Sequence, residues 1–517
     1  MASPLLKDVS EFPDQKARGP APEPTSREAS VIVVGGGFSG LGLGVHLRRR
    51  GIRDFLILDR NPQFGGCWWD NTYPGVACDV PSHLYSFSFR QNPNWSRRFA
   101  PGAEIQDYLE TVAEEEELNQ HYRPSTNVTG ARWDADTNQW HVKTDQGDYV
   151  CTYLIMASGH LVDPKLPEIP GIEDFPGEVL HSAAWDHSVS VEGKRVAVIG
   201  TGASAIQVTP EVAKVAEKVT VFQRTPAYLV PRHDTEYSAA QKRTFARSTE
   251  ALALERANLF WENEQMYPLM RMTPSARAMA LKMANDLRDE LVDDPEIRAQ
   301  LTPDYEPGCK RILLAEDFYR AFNRDNVELE DSALERVEGA TLISAAGNEV
   351  EADVIILCTG FDVSEPKYAR VVFGEDGRSL SEHWGEGETP GWTMFERGFP
   401  NLVAVNARNT GLGHNSLIYI IESQVESVAS LIDWALREKV ERLEINDDAA
   451  DKWRQRISEL SDNTVWTSDG GCGAWYIDER TNELTALWPG YAWDFRRRMQ
   501  EIGPELFDAR PTATPSA

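Results

Sequence analysis

The sequence lacks any C-x-x-C pair and holds only six cysteines, Cys67, Cys78, Cys151, Cys309, Cys358 and Cys472. Their wide spacing removes the dithiol of a disulfide reductase and suits free thiols in a reducing compartment. No apolar run approaches the roughly 20 residues that span a bilayer, and the polar start MASPLLKDVSEFPDQKARGP has no secretory apolar segment. A cytoplasmic protein without membrane contact is expected. Positive charge is scarce, with 52 Lys and Arg against 81 Asp and Glu for a net charge of -29. Without a basic stripe, nucleic acid is excluded as a partner, and the scattered acidic residues read as a solvated surface. His83, His383 and His414 have no metal-ligand spacing to a neighbouring Cys or Asp, so no metal is expected.

What is present is a globular composition, 41% hydrophobic and 26% charged, over 517 residues. That length suggests two or three domains. Residues 1–29 and 506–517 read as disordered tails, rich in Pro, Ser, Glu or Thr. Between them stand two strand-turn-helix openings, VIVVGGGFSGLGLGVHL and RVAVIGTGASAIQVTP. From 235 to 305 the text turns to Ala, Leu, Arg and Glu at helical spacing, an inserted helical lobe. The expected fold is α/β, with two Rossmann-like dinucleotide-binding domains. Residues 30–165 and 363–505 form one domain, and 166–234 and 306–362 form the other.

The first opening places Gly35, Gly37 and Gly40 in G-x-G-x-x-G order. Such glycines permit a tight turn, let backbone approach a pyrophosphate and bring helix close to strand. Asp59 ends the next strand, FLILDR, where a carboxylate accepts from a ribose 2'-hydroxyl. The second opening repeats the design with Gly200, Gly202 and Ala205. Its next strand, VTVFQRT, ends in Arg224, at the same offset from its first glycine as Asp59 from Gly35. A carboxylate repels a 2'-phosphate and a guanidinium pairs with it, so FAD is expected in the first unit and NADPH in the second. On its own, Arg224 also reads as a solvated strand-end charge. Ser39 in the first turn, and Thr201, Ser204, Gln207 and Thr225 in or beside the second, are expected at the same sites. Two nucleotides in one chain imply a flavin taking hydride from a nicotinamide.

The segment GGCWWDNTYPGVACD at 65–79, followed by VPSHLYSFSF, resembles the flavin-side fingerprint of type I Baeyer-Villiger monooxygenases. FPGEVLHSAAWD at 175–186 is similar to that family's F-x-G-x-x-x-H-x-x-x-W-[P/D] signature, with Phe175, Gly177, His181, Trp185 and Asp186 in place. CTGFD at 358–362 resembles its return linker. Related N- and S-oxygenating enzymes usually carry Tyr where Trp185 stands. PGCKRILL, NTGLGHNSLIYIIESQ and TALWPG resemble the branch around 4-hydroxyacetophenone monooxygenase, although that branch's long N-terminal extension is absent.

The resemblance implies O2- and NADPH-dependent insertion of oxygen beside a ketone carbonyl through a peroxyflavin, giving an ester or lactone. Sulfides are a further substrate class, and the alternative is N- or S-oxygenation. It assigns catalysis to Arg311, oriented by Asp79, although residues alone favour an exposed Lys310-Arg311 pair. It places Gly66, Trp68, Asp79 and Tyr85 at the flavin, and Lys310 and Trp475 at NADP. Ala474 stands where relatives commonly have Ser before that Trp. The 175–186 segment reads as a bending linker, with Gly177 supplying unusual backbone angles. Plain packing of Phe175, His181 and Trp185 is the competing reading. The oligomeric state stays open.

Overall fold

A computed structural model describes residues 27–363, 366–468 and 475–511. Four consecutive β-branched residues, Val31 to Val34, leave no polar face, so the strand they form is buried on both sides. That strand is β1 (Glu28–Val34), followed by α1 (Phe38–Arg49), β2 (Phe55–Leu58), β3 (Tyr122–Arg123), β4 (Val128–Asp134), β5 (Gln139–Thr144) and β6 (Tyr149–Met156). They lie in the order β4-β5-β6-β1-β2-β3. β6, β1, β2 and β3 run parallel, while β4 and β5 form an antiparallel hairpin. Val372–Phe373 and Leu402–Ala404 return late in the chain to pair with β4 and β6.

The second sheet contains β7 (Glu178–His181), β8 (Arg195–Ile199), β9 (Lys218–Phe222), β10 (Val327–Glu330) and β11 (Val354–Leu357), with α2 (Ala203–Val212) after β8. Its order is β10-β9-β8-β11-β7, parallel throughout. The helix α3 (Leu417–Arg437) packs its Ile and Val residues on α1 in the core of the first sheet. Helices Ala239–Arg247, Thr249–Glu264, Tyr267–Met270, Pro274–Leu291 and Pro295–Gln300 fill the segment expected to be a helical lobe. The buried pair Arg256–Glu422, 3.1 Å apart, ties that lobe to α3.

Five expectations change. The segment at 175–186 is not a free linker, because Glu178–His181 is the edge strand β7, paired residue for residue with β11. Gly177 does not adopt left-handed backbone. It is needed because a Cβ there would strike the Asp353 carbonyl and approach the Phe175 ring to 2.7 Å. Residues 506–511 are not a tail, since Phe507–Pro511 pairs antiparallel with Val440–Ile445 and buries Phe507. At the other end β1 begins at Glu28, and Arg27 accepts from the Val150 N–H at 2.9 Å. Finally, Cys67, Cys78, Cys151 and Cys358 are free thiols, as expected, but buried Cys309 is disulfide-bonded. The rest of both expected tails lies outside the described residues. Among those described, no helix is long and apolar enough to cross a membrane.

Gly177→Ala should lower stability by about 1–3 kcal/mol, the usual cost of overpacking. Gly202→Ala, with nothing within 4 Å of the added Cβ, should stay within about 0.5 kcal/mol of wild type. Urea unfolding midpoints check the contrast, and equal effects would contradict it.

Candidate active site

Gly35 sits at φ +111°, and a Cβ there would lie 2.6 Å from the Ala157 carbonyl oxygen, so only glycine fits. Gly40 is equally constrained, by the Gly35 carbonyl. Gly37 begins α1 with no side-chain cap, leaving first-turn N–H groups for an anion. Ser39 is buried in that turn. Gly66, at φ +58°, packs backbone to backbone on Gly37, where a Cβ would come within 2.8 Å of the Gly37 Cα. The fingerprint loop thereby reaches the phosphate turn.

Asp59 does two jobs at the end of β2. Its Oδ2 accepts from the Gly36 N–H and its Oδ1 from the Asn61 N–H at 2.8 Å, which fixes the glycine turn. Burial pushes its pKa up to about 6, opposed by those two donors. The adjoining cavity, about 480 Å³, is lined by Gly36, Ser39, Asp59, Gly66, Tyr85 and Ile418 among others. That volume suits a cofactor. Trp68 donates its indole N–H to the Tyr85 hydroxyl at 3.3 Å, and burial holds the Tyr85 phenol well above its ordinary pKa.

The second unit copies the first in backbone and differs in charge. Gly200, at φ +115°, would place a Cβ 2.8 Å from the Cys358 carbonyl, the counterpart of Ala157. Gly202 opens α2 without a side-chain cap and faces open space. Ala205 is fully buried in the third glycine's position. Ser204 is half-buried in the first turn of α2. The Thr201 hydroxyl donates to the Thr225 carbonyl at 2.8 Å, joining the turn to the strand end. Arg224 is exposed beyond β9. Burial, and then the Arg224 charge, lower the Lys310 pKa, with Asp304 opposing them. Lys310 lies 4.7 Å from the centre of the Tyr305 ring. Gln207 points elsewhere, accepting from the Tyr73 hydroxyl at 2.7 Å and donating to the Ala77 carbonyl at 3.0 Å.

Between the two units Arg311 donates to Asp79 Oδ1 at 2.8 Å. The Asp79 carboxylate raises the guanidinium's pKa, against the opposing effect of burial. Protein surrounds Arg311 densely, yet its side chain stays 42% accessible. Tyr476, Cys78 and Tyr85 stand around it. Trp475 is 49% exposed and lies 4.4 Å from the Tyr476 ring, so it is placed near the Arg311 neighbourhood through its buried partner. Ala474 lies outside the described residues.

The signature residues work inside the second domain. Phe175 is buried among Ala197, Ile199, Phe222 and Leu357. The Ala183 N–H donates to His181 Nδ1 at 3.1 Å, so Nε2 carries the proton and donates to Thr359 Oγ1 at 3.3 Å. Thr359 donates onward to the Lys165 carbonyl at 2.6 Å. Burial lowers the His181 pKa, which keeps the ring neutral. His181 therefore pins both chain crossings between the sheets, which themselves pair through Lys165 N–H to Gly360 O and Asp362 N–H to Asp163 O. Trp185 is half-buried against the second core, and exposed Asp186 accepts from Ser188 N–H and Oγ–H.

A family model described as pyridine nucleotide-disulphide oxidoreductase matches residues 32–250. A Baeyer-Villiger monooxygenase of Streptomyces coelicolor is 42% identical over 485 residues, covering 93% of this chain and 92% of that protein. Another, of Pseudomonas aeruginosa, is 37% identical and covers 95% and 93%. The chain belongs to the Baeyer-Villiger monooxygenase family. Among solved structures, cyclohexanone monooxygenase from Rhodococcus sp. Phi1 bound to NADP+ superposes with a TM-score of 0.84 at 27% identity, covering 94% of this chain and 99% of that one. An oxidized steroid monooxygenase bound to NADP gives 0.83 at 28% identity, covering 93% and 99%.

Sequence reading missed several residues around the cleft. Ile418 and Ile421, in the first turns of α3, line the cavity, as does Asn406. Nothing in their apolar spacing separated them from ordinary core. Gly36 was passed over between two motif glycines, and its N–H proved to be what anchors Asp59.

Arg224→Ala should weaken binding of 2',5'-ADP by about 1.5–3 kcal/mol, the value of a hydrogen bond to a charged group. Binding of 5'-AMP should hardly change. Calorimetric titration checks the difference, and equal losses would show that Arg224 does not read a 2'-phosphate.

Proposed function

We propose that this chain is an FAD-containing, NADPH- and O2-dependent monooxygenase that inserts one oxygen atom beside a ketone carbonyl, yielding an ester or lactone. Aryl or aliphatic ketones are its substrates and sulfides a further class. The likeness of PGCKRILL and NTGLGHNSLIYIIESQ to the 4-hydroxyacetophenone monooxygenase branch puts aryl ketones first. The observation that carries the proposal is the Arg311–Asp79 pair, in which a carboxylate on the fingerprint loop of the first unit holds a guanidinium of the second at 2.8 Å. An N- or S-oxygenase attacking soft nucleophiles has no need of a cation held there.

The two glycine turns fit their cofactors, since side chains are excluded where phosphates approach and both helix N-termini are uncapped. FAD supplies oxygen activation and NADPH supplies hydride. Asp59 accepts from a ribose hydroxyl, and the α1 N-terminus receives a pyrophosphate. Arg224 and Lys310 take the 2'-phosphate, with Trp475 beside the NADP ribose. Trp68 and Tyr85 hold the flavin side of the cleft. Arg311 neutralises the negative charge that grows on the ketone oxygen as its carbonyl is attacked, and Asp79 fixes the direction of that guanidinium.

Arg311→Ala should keep FAD, still oxidise NADPH and lose ester formation by ~10² to 10³, the usual cost of one preorganised donor. Arg311→Lys should recover little, because an ammonium lacks the planar fork. Ester at a wild-type rate from Arg311→Ala would overturn the proposal. Asp59 gives a pH test. Its unliganded pKa is raised to about 6, and only the ionised carboxylate is a pure acceptor, so FAD affinity should hold above pH 6 and fall below it. Asp59→Asn should bind FAD more weakly with a flat profile. A flat wild-type profile, measured by flavin fluorescence on the apoprotein, would contradict the assignment.

A further inference from the structure

The fingerprint loop meets the second domain at three consecutive residues. Gln207, on α2, donates to the Ala77 carbonyl. Arg232 donates through Nη2 to the Cys78 carbonyl at 2.9 Å. Arg311 follows on Asp79. The loop comes close enough for this because Gly75, at φ +84°, lies against α2, where a Cβ would be 2.6 Å from the Gln207 carbonyl. Arg232 is itself held in place. Its guanidinium lies 5.1 Å from the centre of the Phe99 ring, and its backbone N–H donates to Glu316 Oε1 at 2.9 Å. It follows the strand Leu229–Val230, which pairs with Leu313–Leu314 just after Arg311. Arg232 and Arg311 thus leave neighbouring strands and grip adjacent residues of one loop.

We propose that Arg232 is a positioning residue for the reaction: by fixing the Cys78 carbonyl it sets the direction in which Asp79 presents its carboxylate to Arg311, with Gln207 as its companion on Ala77. A backbone carbonyl accepting a charged donor is a stiff anchor, and Asp79 is the next residue along the chain. A small rotation there would swing the carboxylate away from its guanidinium. Misplacements of this size cost rate while leaving distant binding contacts intact. Arg232 touches no reacting atom in this account. The effect on ester rests on the function proposed above, whereas the structural coupling does not.

The test uses the FAD-loaded full chain. Arg232→Met keeps the side chain's length and removes its charge, and Arg232→Lys restores a charged donor. With NADPH and a ketone that wild type converts, Arg232→Met should leave the KM for NADPH within about twofold and cut ester formed per NADPH about tenfold, the rest appearing as hydrogen peroxide. Arg232→Lys should recover most of the loss. Combined with Asp79→Asn, Arg232→Met should cost no further ester, because both act through one carboxylate. Unchanged ester per NADPH, no recovery with Lys, or additive losses would each overturn the proposal. Thermal midpoints of wild type, Arg232→Met, Asp79→Asn and their double variant give a second reading without catalysis. Non-additive shifts support the coupling even if no ketone is oxidised, which would sink the proposed function alone, and additive shifts overturn it.

Discussion

The ion pair between Arg311 and Asp79 joins the two halves of this molecule at the place where their contents must meet. Each partner comes from a different sheet domain, so the pair exists only when the domains are docked. Its worth does not lie in stability, since a pair this open to solvent contributes little net free energy. What it provides is direction. A guanidinium held by one edge has the direction of its whole fork set by that contact. Everything around it serves that orientation: the loop that carries Asp79, the glycines that let the loop approach α2, and the strand pair from which Arg311 projects.

The two nucleotide units show how little separates a site for one cofactor from a site for another. Gly35 and Gly200 share a left-handed backbone and the same close approach to a following carbonyl. The difference lies in what ends the next strand. Asp59 is buried and spends its oxygens on the turn itself, while Arg224 is exposed and shares its field with Lys310. On the proposed function, the first arrangement accepts hydroxyls and the second collects a phosphate. On that reading, a duplicated backbone with one inverted charge lets one chain handle two dinucleotides.

The backbone of both turns was legible in the sequence because glycine spacing and strand-end charge are local properties, decided within some thirty residues. The pair Arg311–Asp79 was reached through family likeness and not through local pattern, since its members lie far apart in the chain. Where the reading went astray, a distant partner decided. The 175–186 segment looked like a linker because β11, which turns Glu178–His181 into a strand, lies far downstream. Gln207 sits on the expected face of α2, but its amide is taken up by Tyr73 and Ala77 of the other domain. Phe507–Pro511 reads as tail until Val440–Ile445 offers an edge to it. His181, read either as part of a bending linker or as plain packing, bridges Thr359 and Ala183 with a neutral ring.

The account turns on whether this cleft places oxygen beside a ketone carbonyl. The most direct measurement is to supply purified, FAD-loaded protein with NADPH, an aryl ketone and isotopically labelled O2, and to analyse the product by mass spectrometry with fragmentation. The account predicts an ester carrying one labelled oxygen atom, located in the bridging position between the former carbonyl carbon and its substituent. NADPH consumption that yields only hydrogen peroxide across a broad ketone panel, or labelled oxygen found on sulfur or nitrogen substrates and never in an ester, would contradict it.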